Sequence, residues 1–273
     1  MSARVWIIGP VAIDIVAYLQ KLPTVGTFTR PDRIVERIGG SSANVAIALA
    51  ATEIETGFIG YIGNDLNGEK IKENLTNSKI RNLHLQEVDG QSNQALVMID
   101  ASGDRTIVAL TDSHLAEINL AGIAFKASDI VVFSLWRPFF IDHLRYVHTL
   151  GCRTVVGLEA LKDPQVESAD VAIGSEAELG GEEPEMHLNR FKRIVVTRGA
   201  AGVDDFRSDG ILHQAAIAAE VVDTTGAGDS FLAGFLAVIA RGEIDAGLDL
   251  AYGARWAAAT ISREGSQPAE PPL

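Results

Sequence analysis

Short, nearly continuous apolar runs recur along the chain: VWIIG at 5–9, TGFIGYIG at 56–63, DIVVFSL at 129–135, TVVGLE at 154–159, VAIG at 171–174 and RIVVTRG at 193–199. Runs rich in Val and Ile without polar alternation suit the strands of a parallel sheet covered on both faces. Between them, SANVAIALAAT at 42–52, GEKIKENLTNS at 68–78, PFFIDHLRYVHTLG at 138–151 and DSFLAGFLAVIARG at 229–242 carry helical spacing or good helix formers. Strand and helix taking turns predicts an α/β fold of three layers, a doubly wound, mostly parallel sheet between helices. Two segments break the rhythm, 10–37 and 91–110; the second reads QALVMID, a turn at Gly103-Asp104, then RTIVAL. Both look like strands without helices, and two readings stand: an ordinary edge hairpin, or a small β lid over a substrate.

Composition narrows the class. With 273 residues, 47% hydrophobic and 22% charged, the chain has apolar material for one large core and a small appendage, so 1–273 reads as a single domain. No apolar run approaches the roughly 18 residues of a membrane span, and MSARVWIIGP lacks the basic region of a signal peptide. A cytoplasmic location without membrane partners is the expectation. A formal charge of −13 without clustered Lys and Arg argues against nucleic acid. The single Cys152 reads as a small buried apolar residue. The six histidines, at 84, 114, 143, 148, 187 and 213, form no i, i+4 pair of a helical zinc site.

The richest stretch for chemistry is Val222-Asp223-Thr224-Thr225-Gly226-Ala227-Gly228-Asp229-Ser230-Phe231, running directly into the amphipathic LAGFLAVIARG. Small residues at a helix start leave outward-pointing amides and the positive end of the dipole open to an anion, here at Gly226, Ala227 and Gly228. Asp229 falls in the same first turn, where a carboxylate can take a proton from an attacking hydroxyl. A dinucleotide fingerprint is excluded because Phe231 stands where its third glycine belongs. A P-loop is excluded because Gly63–Gly68 is followed by Glu69-Lys70. Upstream, Gly39-Gly40 permits close backbone approach, Ser41 or Ser42 suits a helix cap, and Asn44 offers both a donor and an acceptor. Asp14 follows the first strand at the carboxyl end of the sheet, where α/β folds gather ligands.

DTTGAGDSFLAGF closely resembles the C-terminal signature of the ribokinase-like, or phosphofructokinase-B-type, carbohydrate kinases, and Ile38-Gly39-Gly40-Ser41-Ser42-Ala43-Asn44-Val45-Ala46 resembles their upstream GG-x-x-x-N-x-A segment. The resemblance spans Asp14 to Gly265 and implies a ribokinase-like fold with a small β-strand lid. It implies ATP-dependent phosphorylation of a hydroxyl on a sugar or sugar derivative, with Mg²⁺. Asp229 would be the base, the 226–228 amides the anion hole, and Asp14, Gly39, Gly40 and Asn44 the sugar site. Val195–Val203 is similar to the family's T-x-G-x-x-G stretch, which places Thr197, Gly199 and Gly202 at the nucleotide. Gly174-Ser175-Glu176-Ala177-Glu178 falls where the family has N-x-x-E, so Glu178 would organise Mg²⁺ through water while Ser175 departs from Asn. The closing segment 251–258 with Glu264-Gly265-Ser266 resembles the adenine side. There Gly253 replaces a common Asn, and Ala269 stands where a Ser often helps hold a cation. Asp223 and Thr225 match residues that bind a monovalent cation, K⁺, in many relatives. A second copy could pair through a lid edge.

The acceptor is not fixed by these signatures. Trp136-Arg137 hints at an acidic or amino-acid-conjugated sugar, and the compact length is similar to that of members acting on fructosamines. A nucleoside kinase of the same fold, and a non-catalytic sugar or nucleotide sensor, stay open.

Overall fold

The computed structural model describes residues 2–103, 105–111, 113–243, 247–265 and 267–272; Asp104 of the expected turn and Ser266 of the closing loop lie outside them. In chain order the elements are β1 (Val5–Ile8), β2 (Ala12–Tyr18), β3 (Arg33–Gly39), α1 (Ser41–Ala50), β4 (Thr56–Gly63), α2 (Leu66–Thr76), β5 (Asn82–Val88), β6 (Gln94–Ile99), β7 (Arg105–Ala109) and β8 (Ile130–Phe133). There follow α3 (Ile141–Thr149), β9 (Arg153–Gly157), β10 (Ala169–Ser175), α4 (Glu176–Leu179), β11 (Phe191–Thr197), β12 (Val203–Arg207), β13 (Gly210–Gln214), α5 (Ala227–Arg241) and α6 (Leu248–Ile261).

The main sheet has the order β13-β12-β11-β10-β9-β8-β1-β4-β5. From β11 to β5 every pairing is parallel, and β12 and β13 close one edge antiparallel. Strand β1 shows why the runs are apolar throughout. Val5 and Ile7 enter the core beneath α1, α5 and α6, whereas Trp6 and Ile8 enter the core on the opposite face with Leu144 and Val147 of α3. Successive side chains of a strand point to opposite faces, so a sheet covered twice needs both registers apolar. The result is the three-layer α/β sandwich that the alternation of patterns predicts.

Two stretches lacked that signal. Strand β5, NLHLQEV, is an edge strand whose side chains are mostly half-buried or exposed, so no apolar run marks it. The β12–β13 hairpin, VDDFR and GILHQ, carries acids in its interior because Asp205 is fully buried beneath Arg193, whose Nη2 approaches it to 2.6 Å while Nη1 reaches Asp249 at 2.7 Å.

A second sheet, β3-β2-β6-β7, is built from the two segments that broke the rhythm; they join through the parallel pair β2–β6. Residues facing each other across a pair share a face of the sheet. The registers Asp14↔Arg37, Tyr18↔Arg33, Tyr18↔Ile99 and Ile99↔Arg105 therefore put Asp14, Arg33, Arg37 and Arg105 on one face.

Helices α5 and α6 cross at two glycines. A Cβ on Gly234 would stand 2.9 Å from Gly253 Cα, and one on Gly253 would stand 2.8 Å from Phe231 O. Among the described residues no helix is long and apolar enough to cross a membrane.

Candidate active site

Asp229 lies in the first turn of α5, and two side chains from the start of α1 hold it. Ser41 Oγ donates to Oδ1 at 2.6 Å and Asn44 Nδ2 donates to Oδ2 at 2.8 Å. The serines do not cap α1 as expected. Gly40 is its N-cap without a side-chain cap, and Ser42 Oγ instead meets Ser134 Oγ at 2.7 Å. The cap hydroxyls are spent on joining α1 to α5 and to the end of β8. Asn44 Oδ1 is buried and has no hydrogen-bond partner among the described residues, so one acceptor of the expected sugar-binding amide is left.

Helix α5 begins at Gly226, whose φ of 81° and ψ of 1° place it in the left-handed region that favours glycine; no side chain caps it. The amides of Gly228 and Asp229 lie in a first turn that supplies no intrahelical acceptor. Gly228 is exposed, with nothing within 4 Å of where a Cβ would stand. An anion can therefore reach these amides without side-chain obstruction.

Asp14 comes from the second sheet. Its carboxylate fits only because Gly39 has no side chain: a Cβ on Gly39 would overlap Asp14 Oδ2. Burial pushes the Asp14 carboxyl up to about 6; Arg37 opposes this rise and the charge of Asp229 adds to it. Burial likewise raises Asp229, against the bonds from Ser41 and Asn44 and the positive field of Arg105. These couplings put Asp14, Asp229, Arg37 and Arg105 in one electrostatic neighbourhood. Arg105 is a site residue that sequence reasoning missed. Its Nη1 donates to Thr224 Oγ1 at 2.9 Å, so β7 reaches the loop that opens α5. An Arg on an exposed strand carries no local signal of that contact.

Glu178 belongs to the same field. Burial raises its carboxyl, with Glu159 and Asp229 adding repulsion, while Ser175 Oγ donates to Glu178 Oε1 at 2.8 Å. The Ser that departs from the family's Asn thus orients the acid beside it. Gly174 leaves space for that carboxylate, since a Cβ there would overlap Glu178 Oε2. Thr197 pairs with Ser175 at the carboxyl ends of β11 and β10, and Gly199 and Gly202 form the turn into β12. Gly202, at φ 91°, could not carry a Cβ because the β13 backbone at Gln214 occupies its place.

Asp223 Oδ1 accepts from Thr225 N at 2.8 Å and Oδ2 from Gly265 N at 3.1 Å, which ties the closing loop to the start of the signature. Thr225 Oγ1 beside it is buried without a partner among the described residues. Gly253 is a packing position between α6 and Phe231 of α5, where a Cβ would stand 2.8 Å from Phe231 O. Trp136 is also core. It is 1% exposed with Nε1 donating to Asp163 Oδ2 at 3.1 Å, and Arg137 Nη1 lies 3.6 Å from Glu159 Oε1. Burial of Trp136 removes the expected stacking surface, while Arg137 stays partly exposed. A cavity of about 730 Å³ opens at the amino end of the sheet, among Ala3, Arg153, Asp170 and Lys192, away from all of these groups.

The grouping of Asp229, the uncovered α5 amides and Asp14 is accompanied by a match along almost all of the chain: the family model for pfkB carbohydrate kinases aligns with residues 2–145 and 163–272. The chain belongs to the pfkB family of carbohydrate kinases. The chain is similar to the fructosamine kinase of Bacillus subtilis, with 27% identity over 241 residues that cover 82% of each protein. Among solved structures it is similar to a nucleoside kinase of Methanocaldococcus jannaschii, at a TM-score of 0.80 and 21% identity over 97% of this chain and 93% of that one. It is also similar to the ribokinase of Arabidopsis thaliana solved with ribose and ATP, at 0.74 and 22% over 97% and 95%. At these identities the solved structures establish the ribokinase fold; the family model establishes a phosphotransferase with a hydroxyl acceptor.

Proposed function

We propose that this pfkB kinase transfers the γ-phosphoryl group of ATP to a hydroxyl of a sugar or sugar derivative, with Asp229 as base. The observation that carries the reading is a carboxylate raised in pKa, fixed by Ser41 and Asn44, and set in the same helical turn as uncovered amides. In this reading Asp14 and the free Oδ1 of Asn44 accept hydroxyls of the acceptor and orient it. Asp229 takes the proton of the attacking hydroxyl, and the amides of residues 226–228 stabilise the charge on the transferring group. A base of this kind contributes about 10²–10⁴ in rate. The second sheet acts as a lid that excludes water and limits hydrolysis of ATP.

Among the described residues no cluster of three acids, histidines or cysteines could hold a metal by itself. The Glu178 carboxylate, oriented by Ser175, fits an Mg²⁺ that arrives with the nucleotide and would hold it through water. Bound there, Mg²⁺ would neutralise phosphate charge. The orphaned Thr225 Oγ1 next to the Asp223 carboxylate fits an oxygen-liganded monovalent cation such as K⁺. The exposed Ile34, Ile107 and Val108 of the small sheet suit pairing with a second copy.

The test is ADP release over sugars, sugar acids, fructosamines and nucleosides with Mg²⁺, with and without K⁺. The expected result is turnover of a sugar-like acceptor that Asp229→Asn lowers by at least about 10²-fold while acceptor binding persists. Near-normal turnover in that variant refutes the assignment, and binding without turnover across the panel favours a sensor.

A further inference from the structure

One guanidinium on the inner face of the small sheet has a hydrogen-bonding edge that the protein leaves unfilled. Arg37 stands across the β2–β3 pair from Asp14, so both side chains leave the face that meets Asp229. Arg37 Nε and Nη2 are shielded from solvent, and neither has a hydrogen-bond partner among the described residues. The other two arginines of this face are engaged: Arg33 pairs with Glu264 at 2.6 Å and Arg105 donates to Thr224 at 2.9 Å.

Nε and Nη2 are the side-on fork of the guanidinium, two near-parallel N–H groups spaced for the two oxygens of one carboxylate or phosphate. Asp14 lowers its own charge penalty in the field of Arg37 but does not fill the fork. Donors of a cation left desolvated and unpaired are costly, and an oxyanion brought by a ligand recovers that cost on binding. The fork lies on the strand that leads into Gly39, Gly40 and α1, the acceptor side in the kinase reading, whereas Arg105 reaches Thr224 in the loop that opens α5.

We propose that Arg37 selects an acceptor that carries an acidic group, a carboxylate or a phosphate ester, apart from the hydroxyl that is phosphorylated; this rests on the kinase reading above. Substrates of that class include sugar acids, sugar phosphates and sugars conjugated to an amino acid.

The experiment compares wild type with Arg37→Gln and Arg37→Lys on matched acceptors: glucitol against gluconate, and fructose against fructose 6-phosphate and N-fructosylglycine. Wild type should show the higher kcat/KM for an acidic member, and which acid wins distinguishes carboxylate from phosphate. Arg37→Gln should raise KM for that acid by at least about tenfold more than for its neutral partner, whose KM changes only through the Asp14 carboxylate that Arg37 faces, and leave the KM for ATP unchanged. Arg37→Lys, which keeps the charge and loses the fork, should fall between. A wild-type preference for the neutral members, an equal loss on neutral and acidic acceptors, or a rise in KM confined to ATP each overturns the proposal. So does a collapse of Tm in Arg37→Gln, which would make the residue structural. Absence of ADP from every acceptor would instead strike the kinase reading, and calorimetric titration of the same acids into wild type and Arg37→Gln then decides Arg37 by itself: equal affinities overturn it.

Discussion

Asn44 gives its Nδ2 hydrogen to Asp229 Oδ2 at 2.8 Å, while its own Oδ1 is buried without a partner among the described residues. In the proposed reading this one amide links base and acceptor, donating to the first and left free to accept from the second. The Ser41 bond to the other Asp229 oxygen completes the hold and favours the ionised carboxylate against the rise that burial imposes. A base must be ionised, so kcat/KM should fall as pH drops through this raised pKa. Ser41→Ala removes one bond to the charged form and raises the pKa further. Its acid limb should therefore move to higher pH than in wild type, measured as ADP release across pH 4 to 8. An unmoved or lowered limb would exclude Asp229 as the titrating base.

Asp14 makes a prediction about stability with a definite sign. Its folded pKa of about 6 lies above the 3.8 of an unburied aspartate, so the folded state binds the extra proton between those two values. Stability contributed by this group is complete below the unfolded pKa and is lost as pH rises through the folded one, by on the order of 3 kcal/mol. Asp14→Asn should be more stable than wild type at pH 7 to 8, with the gap closing toward pH 4 in urea titrations. The same variant should raise the acceptor KM, the pattern expected where a site residue is held at a cost to the fold.

Gly39→Ala separates space from strain. Its backbone lies outside the left-handed region, so a methyl group is tolerated locally. That methyl would occupy the place of the Asp14 carboxylate, which is the movable end of a side chain. Stability at pH 7 should therefore change by less than about 1 kcal/mol, while acceptor KM rises about tenfold or more as Asp14 is displaced. Equal losses in both would mean that the backbone, not the carboxylate, was disturbed.

What the sequence could and could not reveal follows from the range of each signal. The DTTGAGD and GGSSAN strings are local, so the helix starts that bring Asp229 and Asn44 together are marked in residue order, and the apolar runs announce the buried parallel strands. Register is not local. Nothing in RIVERIG or RTIVA tells that Arg33, Arg37 and Arg105 share the inner face of one sheet, because that depends on pairing across strands far apart in the chain. Ser41 looked like a cap because serine before a helix usually is one, but the competing acceptor, Asp229, arrives 188 residues later.

Gly253 is a position for which family likeness and helix packing offer different accounts. Its hydrogen atom faces Phe231 O of α5, and backbone there has no freedom to yield. Gly253→Ala should cost about 1–3 kcal/mol in urea unfolding through overpacking, with the KM for ATP of the folded enzyme unchanged. A raised KM for ATP at unaltered stability would return the residue to the nucleotide site.

Arg105 joins the small sheet to the loop that opens α5, through a 2.9 Å bond to Thr224 Oγ1, and its charge lowers the pKa of Asp229. Two effects are combined in this residue, and two variants separate them. Arg105→Gln removes the charge: the acid limb should shift to higher pH, and kcat should fall by about 10²-fold as charge on the transferring group loses a cation. Thr224→Val removes only the bond, keeping the guanidinium free to turn toward the phosphates. It should leave the acid limb in place and lower kcat far less. If both variants instead lose activity equally with no change in pH profile, Arg105 serves to dock the sheet rather than to stabilise charge, and the electrostatic role fails.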